Sequence, residues 1–370
     1  MTVYKLPFVS SGTTITTSNN TNLNSGDQEI ITSGGTAYYT VVNRGALETV
    51  SSGGQAISSY VYSGGKEVVS TGGVTSSTQI YSGGNETVLS GGVDSGAYLQ
   101  AGGVEIVSSG GLAVNTYAPN GGIQINTGAK ELVTAGNNYG AVVSVTVNSG
   151  GSEQIISGGT ANYTILNLSG TEQVSLGGSA SYTSVNSGGI EQIFSGGNVQ
   201  SSTLNSGGIE QVSSGGIAYG ITISKGGSEI ITNGGVASAT QINSGGTETV
   251  SSGGVDNGTT VQSGGTEIVG NGGIANAVNL YGNEIISSGG LVSGATINSG
   301  GTETVASGGN ANNDTVYFGG VETIASGGQA INTNAASNAN FQINNGAKEL
   351  VSACDWHGSQ QAGESPAITL

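Results

Sequence analysis

Residues 244–254 read SGGTETVSSGG, and close relatives of this string recur along most of the chain. Two Gly-Gly pairs bracket a short segment that carries one Glu, with Val two places after it. The pairs begin at Gly34, Gly53, Gly72, Gly91 and Gly110, 19 residues apart, and the same spacing resumes from Gly158 to Gly272. After a two-residue deletion near 281–283 the series continues at Gly289, Gly308 and Gly327. A second set, including Gly64, Gly83 and Gly102, lies between the first. A fixed period of this length marks a repeat architecture. Each 19-residue unit is read as two strands and two turns.

The apolar residues keep phase with the glycines. One column contains Val50, Val69, Val88, Val107, Ile155, Val174, Ile193 and Val212, and a second contains Val42, Val61, Ile80, Leu99, Leu166, Val185, Leu204 and Ile223. A third, small column is mostly Ala: Ala37, Ala56, Ala113, Ala161, Ala180, Ala218 and Ala237. Successive strand residues face opposite ways, so a locus that is always Val or Ile points inward while its neighbours point out. One unit cannot bury its own apolar face; stacked units align like columns into one thin core. The glycines supply the positive-φ corners that a coil needs. The expected fold is all-β: a single-stranded β-helix, or β-solenoid, of about sixteen 19-residue rungs spaced about 4.8 Å apart. A disordered Gly/Ser linker would not hold Val and Ile in phase.

Composition narrows the function. Net charge is −17, from 23 acidic and 6 basic residues, so nucleic acid and anionic membrane are poor partners. The single Cys, Cys354, excludes an internal disulfide framework. No run of 18 apolar residues exists to form a membrane-spanning helix. The start, MTVYKLPFVSSG, has no signal-peptide apolar region of useful length, and the export route is not legible. The six basic residues do not cluster as a polysaccharide-acting β-helix enzyme would need, which keeps that reading a distant alternative. The only His, His357, lies outside the repeats, so no Ser-His-Asp set is available to them. Calcium-binding G-G-x-G-x-D repeats need Asp in every turn, and only five Asp exist. No phosphate-binding G-K-[ST] loop is present. An ice-binding face needs an outward Thr array, whereas Thr40, Thr78, Thr164, Thr183 and Thr240 share the inward phase. The chain is read as a non-enzyme with no catalytic residue, no cofactor and no metal site.

The segments SGGTETVSSGGV (244–255) and VNSGGIEQIFSGGN (185–198) resemble the 19-residue repeats of AIDA-type autotransporter adhesins, and the resemblance runs over roughly residues 12–351. It implies a right-handed β-helix passenger, extracellular or on a bacterial cell surface. It also implies adhesion, autoaggregation or biofilm contacts, with host or bacterial surface molecules or glycans, or other copies, as partners. In that family solenoid serines are O-glycosylated with heptose by a dedicated transferase; the serines in matching turns here include Ser187, Ser206, Ser244 and Ser263. The runner-up reading is a structural spacer or matrix protein whose unpaired ends stack into filaments. No C-terminal membrane barrel is visible in this sequence.

Residues 1–11 are read as a short N-terminal cap, 12–351 as the solenoid, and 352–370 as a non-repeat tail. Within the solenoid, 113–133 (AVNTYAPNGGIQINTGAKELV) and 330–351 (AINTNAASNANFQINNGAKELV) depart from the pattern together and share Q-I-N and G-A-K-E-L-V. Loop-type insertions are expected near 114–130 and 331–347, with Pro119 unable to donate to a ladder. In the tail, Cys354, Asp355, Trp356 and His357 cluster, but they are too few to hold a metal on their own. Tyr62 with Tyr81, Tyr98 with Tyr117, and Tyr163 with Tyr182 are each 19 apart and would stack on adjacent rungs. They read as stiffening ladders or as a surface contact strip for sugar or protein.

The Glu column is the open question. It includes Glu48, Glu67, Glu86, Glu172, Glu191, Glu210 and Glu248, and 17 of the 18 Glu belong to it. Val or Ile follows two places later, so strict alternation would turn Glu inward. Ionised carboxylates stacked 4.8 Å apart would repel by about 0.9 kcal/mol per neighbour in water and several-fold more in a lower dielectric. Three resolutions exist: a bend that turns Glu outward, shared protons with raised pKa values, or bound cations. The bend is the reading adopted. Raised pKa values would instead make the fold more stable as pH falls.

Overall fold

The computed structural model describes residues 18–118, 121–134, 142–336, 339–344, 346–351 and 367–368. The chain forms two compact units, residues 1–183 and 184–370. Each is a β-solenoid of short parallel strands in which every strand pairs with its counterpart one coil away, as in Glu48↔Glu67 and Val50↔Val69. The period-two burial that defines the core is present in each coil. In Leu47–Val50, Glu48 and Val50 are buried while Leu47 and Thr49 are half-buried.

A coil has three strands, not the two read from the sequence. One coil contains the four-residue glutamate strand Leu47–Val50, the three-residue alanine strand Gln55–Ile57 and the two-residue strand Tyr60–Val61. The third corner falls inside what looked like one strand. It is made at single positive-φ residues of varied type, such as Tyr39, Ser58, Asn115 and Ala239. Glycine takes this place only in some coils, such as at Gly96, Gly220, Gly258 and Gly294, so it left no regular periodic signal.

The paired glycines act differently from one another. At the corner after Val50, Ser52 and Gly53 have φ of 49° and 84°, and the Gly54 N–H donates to the Ser51 carbonyl at 2.9 Å. Two successive positive-φ residues closed by this bond are the pattern of a type I′ turn. Gly54 has no such dihedral demand; a Cβ there would lie 2.2 Å from the Ile31 carbonyl oxygen of the preceding coil. The first glycine supplies conformation and the second supplies clearance for stacking.

The two departures from the pattern are not insertions that leave the coil. In the first unit, Gly122–Ile125 continues the glutamate-strand ladder: Ile123 pairs with Glu105 and Ile125 with Val107. Lys130–Val133 then stacks on the alanine strand, with Glu131 opposite Ala113, and the next glutamate, Glu153, stacks on Glu131. The carboxylate column therefore moves to the neighbouring face of the solenoid. The same move occurs within the second unit, where Phe341 pairs with Glu322 and Glu349 with Ala330. The shared words Q-I-N and G-A-K-E-L-V are thus a phase change of the repeat. Pro119 and the 352–366 part of the tail lie outside the described residues.

Candidate functional site

Two features carry the chemistry of the solenoid: a buried carboxyl ladder inside and a serine corner outside. The ladder faces inward, which corrects the outward bend expected from charge repulsion. Glu48, Glu67, Glu86, Glu172, Glu191, Glu210 and Glu248 are all fully buried. The strand keeps its alternation through Glu, and the environment changes the charge instead of the backbone. Burial first, and then the neighbouring Glu29, pushes the Glu48 carboxyl up to about 8. Burial also holds Glu67 and Glu248 well above the usual carboxylate range, with neighbouring carboxylates adding to the effect. Desolvation disfavours the charged form of an acid, so a dry column favours protons.

The inward threonines are hydrogen-bond partners of this ladder, a role the sequence reading did not assign. Eleven residues after each of several glutamates a hydroxyl donates to the carboxyl. Thr40 donates to Glu29, Thr164 to Glu153 and Thr183 to Glu172 at 3.0 Å, and Thr240 to Glu229 at 3.1 Å. Ser202 does the same for Glu191 at 3.2 Å. The phase shared by Thr and Val, noted in the sequence, was the signal.

At three places an aspartate joins the ladder. Glu86, Asp94 and Glu105 form one buried triad; Glu248, Asp256 and Glu267 a second; Glu303, Asp314 and Glu322 a third, each offering carboxylate oxygens within 4.8 Å of one another. Asp94 occupies a rung of the small column, directly opposite Ala113. Asp256 lies between Ala237 and Ala275 in the same column, and Asp314 stands one rung before Thr333 in the threonine column. In the first triad the Thr75 hydroxyl lies 3.0 Å from Glu86 Oε1 and 2.9 Å from Asp94 Oδ1. A hydroxyl has one proton to donate. Both contacts are satisfied fully only when one of the two carboxyls is protonated and donates to Thr75. Burial raises Asp94, Asp256 and Asp314 to about 7 each.

The outer surface is polar and stepped by the 19-residue period. Ser187, Ser206, Ser244 and Ser263 are all exposed, each at the first position of a Ser-Gly corner. At Ser187, Ser206 and Ser244 a glycine one coil later lies beside the hydroxyl: a Cβ on Gly207 or Gly226 would come within 2.9 Å of Ser187 or Ser206 Oγ, and one on Gly264 within 2.6 Å of Ser244 Oγ. The missing side chains leave these hydroxyls uncovered.

The tyrosine pairs stack as expected, but not as one strip. Tyr62 and Tyr81 stack at 4.5 Å, Tyr163 and Tyr182 at 5.2 Å, and Tyr98 and Tyr117 meet tilted at 5.4 Å. Each pair occupies a different locus of the coil. Tyr98 lies within a two-residue strand, Tyr62 follows one, and Tyr163 and Tyr182 are positive-φ corners. Cys354, Asp355, Trp356 and His357 lie outside the described residues. Among the described residues no helix is long and apolar enough to cross a membrane.

Parallel 19-residue coils with Ser-Gly corners and an inward carboxyl column define the chain as a β-solenoid stalk. Residues 211–265 match the family model described as the adhesin of the bacterial autotransporter system (AIDA), probable stalk. The same register extends on both sides of the matched segment, and the chain belongs to this AIDA-type family. Among solved structures, one that is similar is the hyper-glycosylated fragment 55–350 of TibA, modified by TibC. It shares 30% identity, with 90% of this chain and 99% of that chain covered and a TM-score of 0.44. No curated protein sequence matches the chain.

Proposed function

We propose that this chain is a non-enzymatic adhesin stalk, displayed at a bacterial surface or secreted, that mediates adhesion, autoaggregation or biofilm contacts. Its contact surface is the repeated Ser-Gly corner. A partner glycosyltransferase O-glycosylates the corner serines, among them Ser187, Ser206, Ser244 and Ser263, and the sugars meet host or bacterial surface molecules or other copies. The observation that carries this reading is the exposure of these four hydroxyls at one repeated locus, with Ser187, Ser206 and Ser244 each left open by a glycine on the next coil. Ser244 and Ser263 fall inside the segment that matches the adhesin family model.

Intact mass of the protein produced in cells that contain an autotransporter heptosyltransferase tests the modification. Heptose-sized increments are expected, with two fewer in a Ser244→Ala/Ser263→Ala variant. A settling assay of cells displaying the chain tests the contact. Unmodified mass together with undiminished settling would sink the glycan part of the reading, and the absence of settling with full modification would sink the adhesive part.

A further inference from the structure

We infer that the three Glu–Asp–Glu triads are calcium sites, loaded as the solenoid folds. The triads are built alike: Glu86–Asp94–Glu105 and Glu248–Asp256–Glu267 follow spacings of 8 then 11 residues, and Glu303–Asp314–Glu322 the reverse. All nine side chains are fully buried. In most other rungs the loci that hold Asp94 and Asp256 are methyl groups, as at Ala56, Ala113, Ala237 and Ala275. A third carboxyl placed into a column that is already acidic adds repulsion and desolvation cost. A divalent cation removes both.

A second set of atoms points the same way. Both carboxylate oxygens of Glu105, Glu248, Glu267, Glu303 and Glu322, and Oδ2 of each aspartate, have no hydrogen-bond partner among the described residues. The Thr116 hydroxyl faces Glu105 and the Thr333 hydroxyl faces Glu322, close enough to favour the ionised carboxylates. Yet both hydroxyl oxygens are buried and unpartnered. In several plain rungs the hydroxyl at this 11-residue spacing is hydrogen-bonded to its glutamate, as Thr164 is to Glu153, although Ser59 and Thr78 are not. Beside Glu105 and Glu322 it is left free to act as a neutral oxygen ligand, and in the second triad Thr259 donates to Asp256 at 2.8 Å.

The ligand chemistry selects the ion. Calcium takes six to eight oxygens at about 2.3–2.6 Å, so ligands on opposite sides of it stand about 5 Å apart, and the triad oxygens, within 4.8 Å of one another, are close enough to share one such ion. Two bidentate carboxylates, the free oxygen of a protonated third and a neighbouring Thr hydroxyl supply six oxygens. Magnesium holds its ligands at about 2.0–2.1 Å and keeps several waters, which a fully buried site does not admit. In the first triad charge also closes: three carboxyl groups, one calcium ion and the one proton that the Thr75 bridge calls for sum to zero.

The test uses the full chain, refolded from denaturant in calcium chloride or in EGTA, dialysed exhaustively, and assayed for bound calcium by plasma mass spectrometry. Three ions per chain are expected after refolding in calcium. D94A and D256A install the residue of neighbouring rungs, and D314T installs that of its own column, so these variants keep the fold; circular dichroism checks this. Each single variant should retain two ions and the triple variant none. Calcium should raise the melting temperature of the natural protein and leave that of the triple variant unchanged. Retention of no calcium by the natural protein would overturn the proposal and leave protons alone to neutralise the triads. Equal retention by the folded triple variant would overturn it too.

Discussion

The strands Leu47–Val50 and Gly122–Ile125 belong to one ladder of the first unit, yet one turns Glu48 into the core and the other Ile123. Both loci are fully buried, and both are followed by a buried apolar residue, Val50 or Ile125. The coil therefore requires a side chain that fills this inward place, and a carboxyl is one of two ways to fill it. The glycine requirement differs as well. Gly54 stands against the Ile31 carbonyl oxygen, whereas the same place in the corner after Gly122–Ile125 is held by Ala129, whose N–H donates to the Asn126 carbonyl as that of Gly54 does to Ser51. Carboxyl and clearance glycine come together in the plain rung, and both are replaced where the phase changes.

The largest expected effect is that of pH on the whole protein. The Glu48 carboxyl has a folded-state value of about 8 against 4.5 ordinarily. The native state thus binds a proton that the unfolded chain releases, and stability falls as pH rises between those values. The contribution is fully present below about pH 4.5 and lost as pH rises through 8. The melting temperature at pH 5 should exceed that at pH 9. Hydrogen exchange should place the loss at rungs such as 47–50 more than at 122–125. A melting temperature that falls between pH 7 and pH 4.5 would contradict the inward, protonated ladder.

Next in size is Gly54→Ala, which forces a methyl group against backbone and should cost about 3 kcal/mol in urea unfolding. Gly122→Ala should change stability by less than about 0.5 kcal/mol. Equal costs for the two would show that clearance against the preceding coil is not what Gly54 supplies. Ile123→Glu places a carboxyl beside Glu105 and should cost about 2 kcal/mol at pH 8, with the loss shrinking at pH 5. The reverse exchange, Glu48→Ile, should fold normally and reduce the pH dependence by the share of that one carboxyl. Tyr163→Ala removes one exposed stack and should cost about 1 kcal/mol, whatever the pH.

Much of this arrangement was legible in the residues. The 19-residue period, the inward Val, Ile and Ala columns and the pairing of Tyr163 with Tyr182 all follow from phase alone. The direction of the Glu column was legible too, since Val50 two places after Glu48 fixes the same face. It was misjudged because repulsion was reckoned between ionised groups, whereas burial removes the charge first. The phase change could have been seen in spacing: Glu131 follows Glu105 by 26 residues, not 19, and so cannot occupy the same face. Asp94 was visible only as a rare residue. Its meaning depends on standing opposite Ala113, which requires knowing that the 11-residue half folds into two strands at corners such as Ser58. That corner uses Ser, Tyr, Asn, Ala or Gly, and a position with no single preferred residue leaves no trace in a periodic count.

An inward carboxyl column also changes how the outside of the protein behaves as a colloid. The formal charge of −17 treats every acid as ionised. Sixteen of those acids have raised pKa values. With those sixteen neutral, seven acidic groups remain against six basic ones. What solvent and neighbouring surfaces meet is then a coat of hydroxyls and amides with almost no net field. Its electrophoretic mobility at mildly acidic pH should be far below that expected from a sequence pI of 4.1. Two such surfaces can approach without the long-range repulsion that their composition suggests.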